Sequence, residues 1–405
     1  MRLHVWLGGA LLVAGGAGEA RAADWEALPF GTFGGHYETN LGLSPVKANE
    51  NTVSGLAGTA GIAFRGTTPL SVFEMRPRVD ATYFPSDKDS DYINGMFDLE
   101  YRRTGQRSTF VLRGEAAHEI VTSAALPPTR PEGDLGNPLN GDIGGVGTRS
   151  RRDTLAVYPT LAVRFSDRHG MEFSGNFTDV SYDLKLPGEE QDYRFASIGG
   201  AWLFNVRPRD TLNFRLTVDD FNPQTVAGAF PSIGSNTYAA TLRWTRQASQ
   251  NHQWYVAGGG TRTKFEEVTG TTPLESKSGW TGGFGTNWQM QKALLFFDAV
   301  YRVQPSSSGA VSDQTDLRLQ VVRNFTPRWN GTLGARYVRS EAVNPAAPTD
   351  YRDYGVLDLT AEWRWTRFVA LRGQLSYVRQ KLENQGAGGS KVVKLMIAYD
   401  SARKN

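Results

Sequence analysis

Leu357-Asp358-Leu359-Thr360-Ala361-Glu362-Trp363-Arg364-Trp365 decides the fold. Odd positions are apolar and even positions are polar or charged, so an extended chain sends one set to each side of a sheet. One face suits hydrocarbon and the other suits water. Just downstream, Val369, Leu371, Gly373, Leu375 and Tyr377 alternate with Ala370, Arg372, Gln374 and Ser376. The same period-two pattern appears in Phe110, Leu112 and Gly114 against Arg113 and Glu115. It returns in Leu212, Phe214, Leu216 and Val218 against Asn213, Arg215, Thr217 and Asp219. No long helical stripe interrupts it after residue 30.

Working outward, strand starts fall near residues 34, 53, 70, 91, 108, 152, 171, 192, 211, 236, 252, 277, 293, 313, 329, 352, 367 and 390. That makes about 18 strands, with 16 as the nearest alternative, and single-chain bacterial barrels carry even counts. The connections alternate in length. Thr104–Arg107, Ser166–Gly170, Val206–Asp210, Met290–Lys292, Thr326–Arg328 and Thr366 are short, whereas Thr122–Ser150, Pro223–Ser235, Glu266–Ser276 and Val343–Asp350 are long. Short turns on one rim and long loops on the other are the asymmetry of an outer-membrane barrel, and parity puts both termini on the short-turn, periplasmic side. The expected fold class is therefore all-β: one transmembrane antiparallel up-and-down β-barrel. Pro77 and Pro159 fall inside expected strands, where bulges or irregular pairing should appear, because a closed sheet has no edge to hide a missing donor.

The first residues read as an export signal. Arg2 precedes an apolar stretch from Val5 to Ala14 and a small-residue site, Ala20-Arg21-Ala22, giving expected domains of 1-22, a cleaved signal, and 23-405, the barrel. No later segment supplies the ~20 consecutive apolar residues of a membrane helix. The chain has no cysteine, which removes disulfides and thiolate chemistry from consideration. Its 45 glycines and 11% aromatic content would be odd for a helical membrane protein and suit a barrel, where only alternate residues need be apolar. A net charge of +3 lacks the one-sided basic excess of a nucleic-acid binder.

If the alternation holds, Arg76, Arg78, Arg113, Arg164, Arg215, Arg243, Arg302, Arg318, Arg336, Arg364, Arg372 and Lys394 line the interior. Glu74, Asp98, Glu100, Glu115, Glu172, Asp219, Asp298, Asp316, Asp358 and Glu362 join them. So many charges fit a water-filled lumen better than a dry core, where each one left without a partner would cost several kcal/mol. Two readings of this wall stand: the charges pair and hold the barrel open, or they select a solute. The long connection 122-150 is the third external loop by count. Arg130, Glu132, Asp134, Asp142, Arg149, Arg151 and Arg152 would act at a constriction if it folds inward, or sit on a surface loop if it does not. Asp134, Asn140 and Asp142 match no defined calcium loop. Trp244, Trp280, Trp288, Tyr301, Trp363, Trp365, Tyr377 and Tyr399 are the expected interface aromatics. Trp280 and Trp288, eight residues apart on one face, would project roughly 20 Å along the membrane normal. His36, His118, His169 and His252 form no metal-spaced cluster, and no G-x-S-x-G elbow occurs, so neither an enzyme nor a metal or other cofactor is expected.

His36-Tyr37-Glu38-Thr39-Asn40-Leu41, with the charged hairpins Phe165–Asp183 and Arg207–Phe221, resembles a broad family of outer-membrane β-barrel porins, including barrels encoded in exopolysaccharide gene clusters. The resemblance implies a Gram-negative outer membrane, lipid and the barrel-assembly machinery as partners, and passage of small polar solutes. It equally admits a conduit for an exported polysaccharide with periplasmic export components. The final strand, Val393, Leu395, Ile397 and Tyr399, departs from the usual terminal aromatic because Asp400–Asn405 follow it. A reading of another class also stands: a soluble secreted all-β binding protein whose apolar faces pack on one another.

Overall fold

The computed structural model describes residues 23–121, 150–183, 191–224, 233–266, 275–305, 311–343, 351–382 and 386–402. Eighteen strands account for most of them. The first six are β1 (Asp24–Glu38), β2 (Val53–Thr67), β3 (Ser71–Tyr83), β4 (Tyr92–Thr104), β5 (Ser108–Val121) and β6 (Ser150–Arg164). Then come β7 (His169–Tyr182), β8 (Tyr193–Arg207), β9 (Asp210–Pro223), β10 (Ser235–Ser249), β11 (His252–Phe265) and β12 (Lys277–Gln289). The last six are β13 (Ala293–Pro305), β14 (Val311–Asn324), β15 (Trp329–Ala342), β16 (Arg352–Arg364), β17 (Val369–Leu382) and β18 (Gly386–Asp400). Each pairs antiparallel with its sequence neighbours, and β18 closes on β1 from Glu38↔Val392 to Phe30↔Asp400. The ring of strands is closed, with no strand left as an edge, which is the condition for carrying strands through hydrocarbon.

The registers fix the dimensions. Following paired positions once round the sheet returns to β1 about 22 residues nearer its Glu38 end, a shear that, at ~4.8 Å between strands and ~3.3 Å per residue, tilts the strands by about 40° and gives a backbone diameter of roughly 35 Å. Wall side chains cannot fill such an interior, as they do in eight-stranded barrels. Turns at 68–70, 105–107, 165–168, 208–209, 250–251, 290–292, 325–328 and 365–368 share one rim. Four of them use one device: Thr68, Ser166, Thr326 and Thr366 each accept a hydrogen bond through the side-chain oxygen from the backbone N of Ser71, His169, Trp329 and Val369, at 2.9, 3.1, 3.0 and 3.0 Å. On the other rim, the connection 383–385 is as short as the turns and 306–310 is one residue longer than the longest of them, so the length asymmetry is not uniform.

β1 begins ten residues before the sequence pattern suggests. Leu28 and Phe30 put apolar groups on the same face as Glu26 and Thr32, so alternation fails there, yet pairing runs without a break from Asp24↔Thr67 to Glu38↔Val53. The prolines disturb pairing without a bulge. The β2–β3 ladder breaks between Gly61↔Arg78 and Phe64↔Met75, and the β6–β7 ladder between Val157↔Phe177 and Thr160↔Ser174, each resuming in the same register. Pro77 and Pro159 keep partners Phe97 and Leu112 on their other sides. Each ring therefore costs ladder bonds to one neighbour only. The register shifts lie at turn ends instead, at Asn205/Arg207 and Gln247/Ser249.

Candidate functional site: the inner wall and its mouth

The two faces of the sheet differ as a lipid wall differs from a water wall. Trp280, Leu357 and Leu375 project outward at 61%, 49% and 52% exposure, while Asp316, Arg318 and Arg336 face the interior and are buried. All eight expected interface aromatics lie on the outer face. Trp280 stacks on Tyr301 with ring centroids 4.0 Å apart, toward the loop rim. Near the turn rim, Trp244 packs edge-on to Trp254 at 4.9 Å, Trp363 on Trp329 at 6.1 Å, and Tyr399 on Phe368 at 6.3 Å. Trp288, Trp365 and Tyr377 are exposed on the same surface. Trp25, Tyr37, Tyr83, Phe325 and Tyr337 join them. The first four stand alone at or beside a strand end, where alternation has too few residues to be read, whereas Tyr337 lies inside β15 in an alternating run with Leu333 and Ala335.

Inside, charges gather in groups set by cross-strand register. On β13 to β15, Asp316 accepts from Arg318 Nε at 3.0 Å and from Arg336 through Nε at 3.1 Å and Nη2 at 2.9 Å, with Arg302 Nη2 3.9 Å away. Three guanidinium groups share one carboxylate. On β15 to β17, Glu362 accepts from Arg372 Nη2 at 2.8 Å and Asn330 at 3.3 Å, with Arg364 at 3.9 Å. Beside it Asp358 takes Gln374, Ser376 and Thr360 at 2.6, 2.5 and 3.1 Å. Five arginines thus lean on Asp316 and Glu362, along an arc that runs from the loop half of the barrel on β13 to the turn half on β17.

Glycines on intervening strands let other groups meet. Tyr255 on β11 donates to Asp298 on β13 at 2.5 Å, passing over Gly283 of β12, where an added Cβ would stand 3.3 Å from the phenol oxygen. Arg243 caps the same ring at 4.3 Å. Arg215 on β9 reaches Glu172 and Ser174 on β7 across Gly199 and Ala201 of β8. On the β3–β5 wall, Arg76 pairs with Glu74, Arg78 lies 3.6 Å from Asp80, and Arg113 lies 3.5 Å from Glu100. Glu115 shares the inward parity of Arg113 on β5, and Lys394 is half-buried on β18. Arg164 is exposed at the turn end of β6.

Arg130, Glu132, Asp134, Asp142 and Arg149, the expected constriction residues, lie outside the described residues. Arg151 and Arg152 are strand residues of β6. Arg152 faces inward and pairs with Glu119 at 2.5 Å, whereas Arg151, one step along, takes the opposite face and is exposed outward, away from any lumen.

Narrowing comes from segments the sequence did not single out. Near the loop rim the inner parity turns apolar: Val180, Tyr182, Tyr193 and Phe221 on β7 to β9, and Val338, Tyr354, Val356 and Val378 on β15 to β17. Leu43, from the connection between β1 and β2, packs on the second group, and Leu41 packs on Val53 and Phe84. Pairing of β12 with β13 stops at Gly282↔Tyr301, while β13 and β14 continue to Pro305↔Val311. The freed tip leans inward, so that Val303 and Val311 pack on the inner faces of β7 to β9. Within strands such as β16, Tyr354 and Val356 precede Asp358 and Glu362 on one face, a reversal of polarity that is visible in the sequence.

No family model matches this chain, and no curated protein matches it. Among solved structures, the chain is similar to OccAB4 of Acinetobacter baumannii at 10% identity and a TM-score of 0.43, covering 93% of this chain and 98% of that one. It is similar to the outer membrane protein OpdK of Pseudomonas aeruginosa at 10% and 0.44, over 93% and 98%. It is also similar to the outer membrane channel DcaP of Acinetobacter baumannii at 12% and 0.45, over 93% and 97%.

Proposed function

We propose that this chain is an outer-membrane channel that passes small polar or charged solutes through its lumen, with anions favoured along the β13–β17 wall. The observation that carries the reading is the opposition of faces: a closed sheet with exposed Leu357, Leu375, Trp280 and Trp288 outside and Asp316, Arg318, Arg336 and Glu362 inside. Water packed against the outer face would leave rows of aromatic and aliphatic groups solvated, which a soluble binding protein avoids. Lipid contact and delivery by the assembly machinery follow from this reading, as does removal of residues 1-22 on export. The arginine arc gives the field its sign, because six inward guanidinium groups on β13 to β17, Arg352 included, outnumber the four inward carboxylates Asp298, Asp316, Asp358 and Glu362. In a planar bilayer under a potassium chloride gradient, the reversal potential is expected to take the sign of chloride preference; a cation-selective current would refute the anion preference, and no current at all would refute the channel.

A second reading, a conduit for an anionic polysaccharide, is favoured by the same arginine arc, since oriented guanidinium groups stabilise carboxylates along a track. Oligouronates added to one side should then block the current in a length-dependent way. A mouth narrowed by Leu41, Leu43, Val303 and Val311 argues for the small-solute reading over a bulky polymer.

A further inference from the structure

Outside the barrel, just above the apolar band on the loop-bearing side, charge is distributed unevenly. On β6 to β9 the outer positions carry three acids, Asp153, Asp179 and Asp220, against two arginines, Arg151 and Arg194, with Arg194 tied to Asp179 at 2.8 Å and His118 to Asp153 at 2.5 Å. Nearly opposite, on β15 to β18, the outer positions carry Arg339, Arg379, Lys381 and Lys391, all exposed. Register brings them together: Arg339↔Asp353 and Asp353↔Lys381 share one row, Gly355↔Arg379 lies one row below, and Tyr377↔Lys391 lies below that. Because the strands tilt, each step from β15 toward β18 climbs by about 3 Å, which brings Arg339, Arg379 and Lys391 to nearly one height.

Of the two acids on this face, Glu341 is exposed two residues beyond Arg339, and Asp353 is already engaged. Asp353 accepts from the Tyr337 hydroxyl at 2.7 Å and from the Tyr351 hydroxyl at 2.6 Å, while Arg339 lies 4.8 Å from the Tyr351 ring centroid. None of Arg339, Arg379, Lys381 and Lys391 makes an ion pair among the described residues. Directly below them the surface turns apolar, with Leu357, Leu375 and Leu395 exposed beneath Tyr337 and Tyr377. A cationic shelf above a hydrocarbon wall is complementary to an amphiphile with an anionic head and several acyl chains.

We propose that the outer face of β15–β18 docks a lipid whose headgroup carries phosphate, its phosphates against Arg339, Arg379, Lys381 and Lys391 and its chains along Leu357, Leu375 and Leu395. The inference rests on the reading of this face as lipid-facing. A second copy of the chain, joining the acidic arc to the basic one, is the competing occupant. Two arcs on opposite sides would build open chains of barrels, whereas closed assemblies are the rule for oligomers.

The test is native mass spectrometry of the full chain in a zwitterionic detergent, titrated with a bisphosphorylated, acylated glucosamine disaccharide and with its dephosphorylated counterpart. Bound lipid is expected to fall at least about tenfold on removal of the phosphates, and by a similar factor in the variant Arg339→Gln/Arg379→Gln/Lys381→Gln/Lys391→Gln. Arg262→Gln/Lys264→Gln, cations of one strand elsewhere on the rim, should leave binding within about twofold. Equal binding of both lipids, equal loss in the two variants, or a shift from oligomer to monomer in the fourfold variant would each overturn the proposal. Quenching of tryptophan fluorescence by brominated lipid in vesicles of neutral lipid separates the two levels. Quenched wild type and fourfold variant with unchanged lipid binding defeat the docking alone, whereas a chain that is never quenched defeats the membrane reading as well.

Discussion

At the residue scale the decisive interaction is Asp316 beneath Arg318 and Arg336, all three buried. Removing a shared counter-charge leaves cations in a medium that solvates them poorly, so Asp316→Asn is expected to lower the unfolding free energy by about 3–5 kcal/mol, measured by urea unfolding in lipid vesicles. Adding Arg318→Gln to that variant should recover part of the loss. Leu43 makes a different point. It holds φ at 50°, a left-handed conformation that disfavours a side chain, and its burial on Val338, Tyr354 and Val356 compensates for the strain. Asn40, also at φ 50°, anchors the same connection by donating to Ser44 O at 2.9 Å and Gly389 O at 3.2 Å. Two external connections are clasped by Asn51 donating to Asp87 at 2.5 Å, and Ser90 also donates to that carboxylate. The Ser90 hydroxyl, followed by the Asn51 amide, holds the Asp87 carboxyl below its ordinary value. Its contribution is therefore fully present above the ordinary aspartate range and is lost as pH falls through the lowered folded value. Proteolysis of the external connections in Asp87→Asn should exceed wild type at neutral pH and match it in strong acid; a gap that persists in acid would contradict this role.

At the scale of strands, one face of an element can change its task along its length. The lower half of β16 puts Asp358 and Glu362 inside and Leu357 and Leu359 outside, which the sequence states openly because lipid and water demand opposite chemistry. Above the band both faces meet water or protein, and Tyr354 and Val356 are free to pack on Leu43. Strand count, order and closure were legible for that reason. The narrowing was not, because Val303 and Val311 reach β7 to β9 only after β13 leaves β12, a contact between distant strands that no local pattern encodes. Val303→Asp with Val311→Asp should detach the tip from Tyr182, Tyr193 and Phe221 and raise single-channel conductance. Unchanged conductance would mean that the tip does not limit flow. Closure has its own sensitive point at Gly34, where an added Cβ would meet the backbone at Leu395 and Met396. Gly34→Val is expected to weaken the β1–β18 seam and to abolish heat-modifiable migration on a gel.

For the whole molecule, eighteen strands and the observed shear leave an interior too wide for wall side chains to fill, and the wall carries charges that a dry core could not hold. Apolar exterior, closed backbone and charged interior suit the proposed setting, hydrocarbon outside and water within. The absence of native cysteine allows that setting to be probed one position at a time. Thr360 and Leu375 lie at comparable depth on neighbouring strands, with Thr360 on the inward face and Leu375 on the outward face. In vesicles holding the single-cysteine variants Thr360→Cys and Leu375→Cys, a charged, membrane-impermeant thiol reagent should label Thr360→Cys and reduce its current, leaving Leu375→Cys unlabelled. Equal labelling of both, or labelling of Leu375→Cys alone, would contradict a lipid-facing exterior around a water-filled lumen.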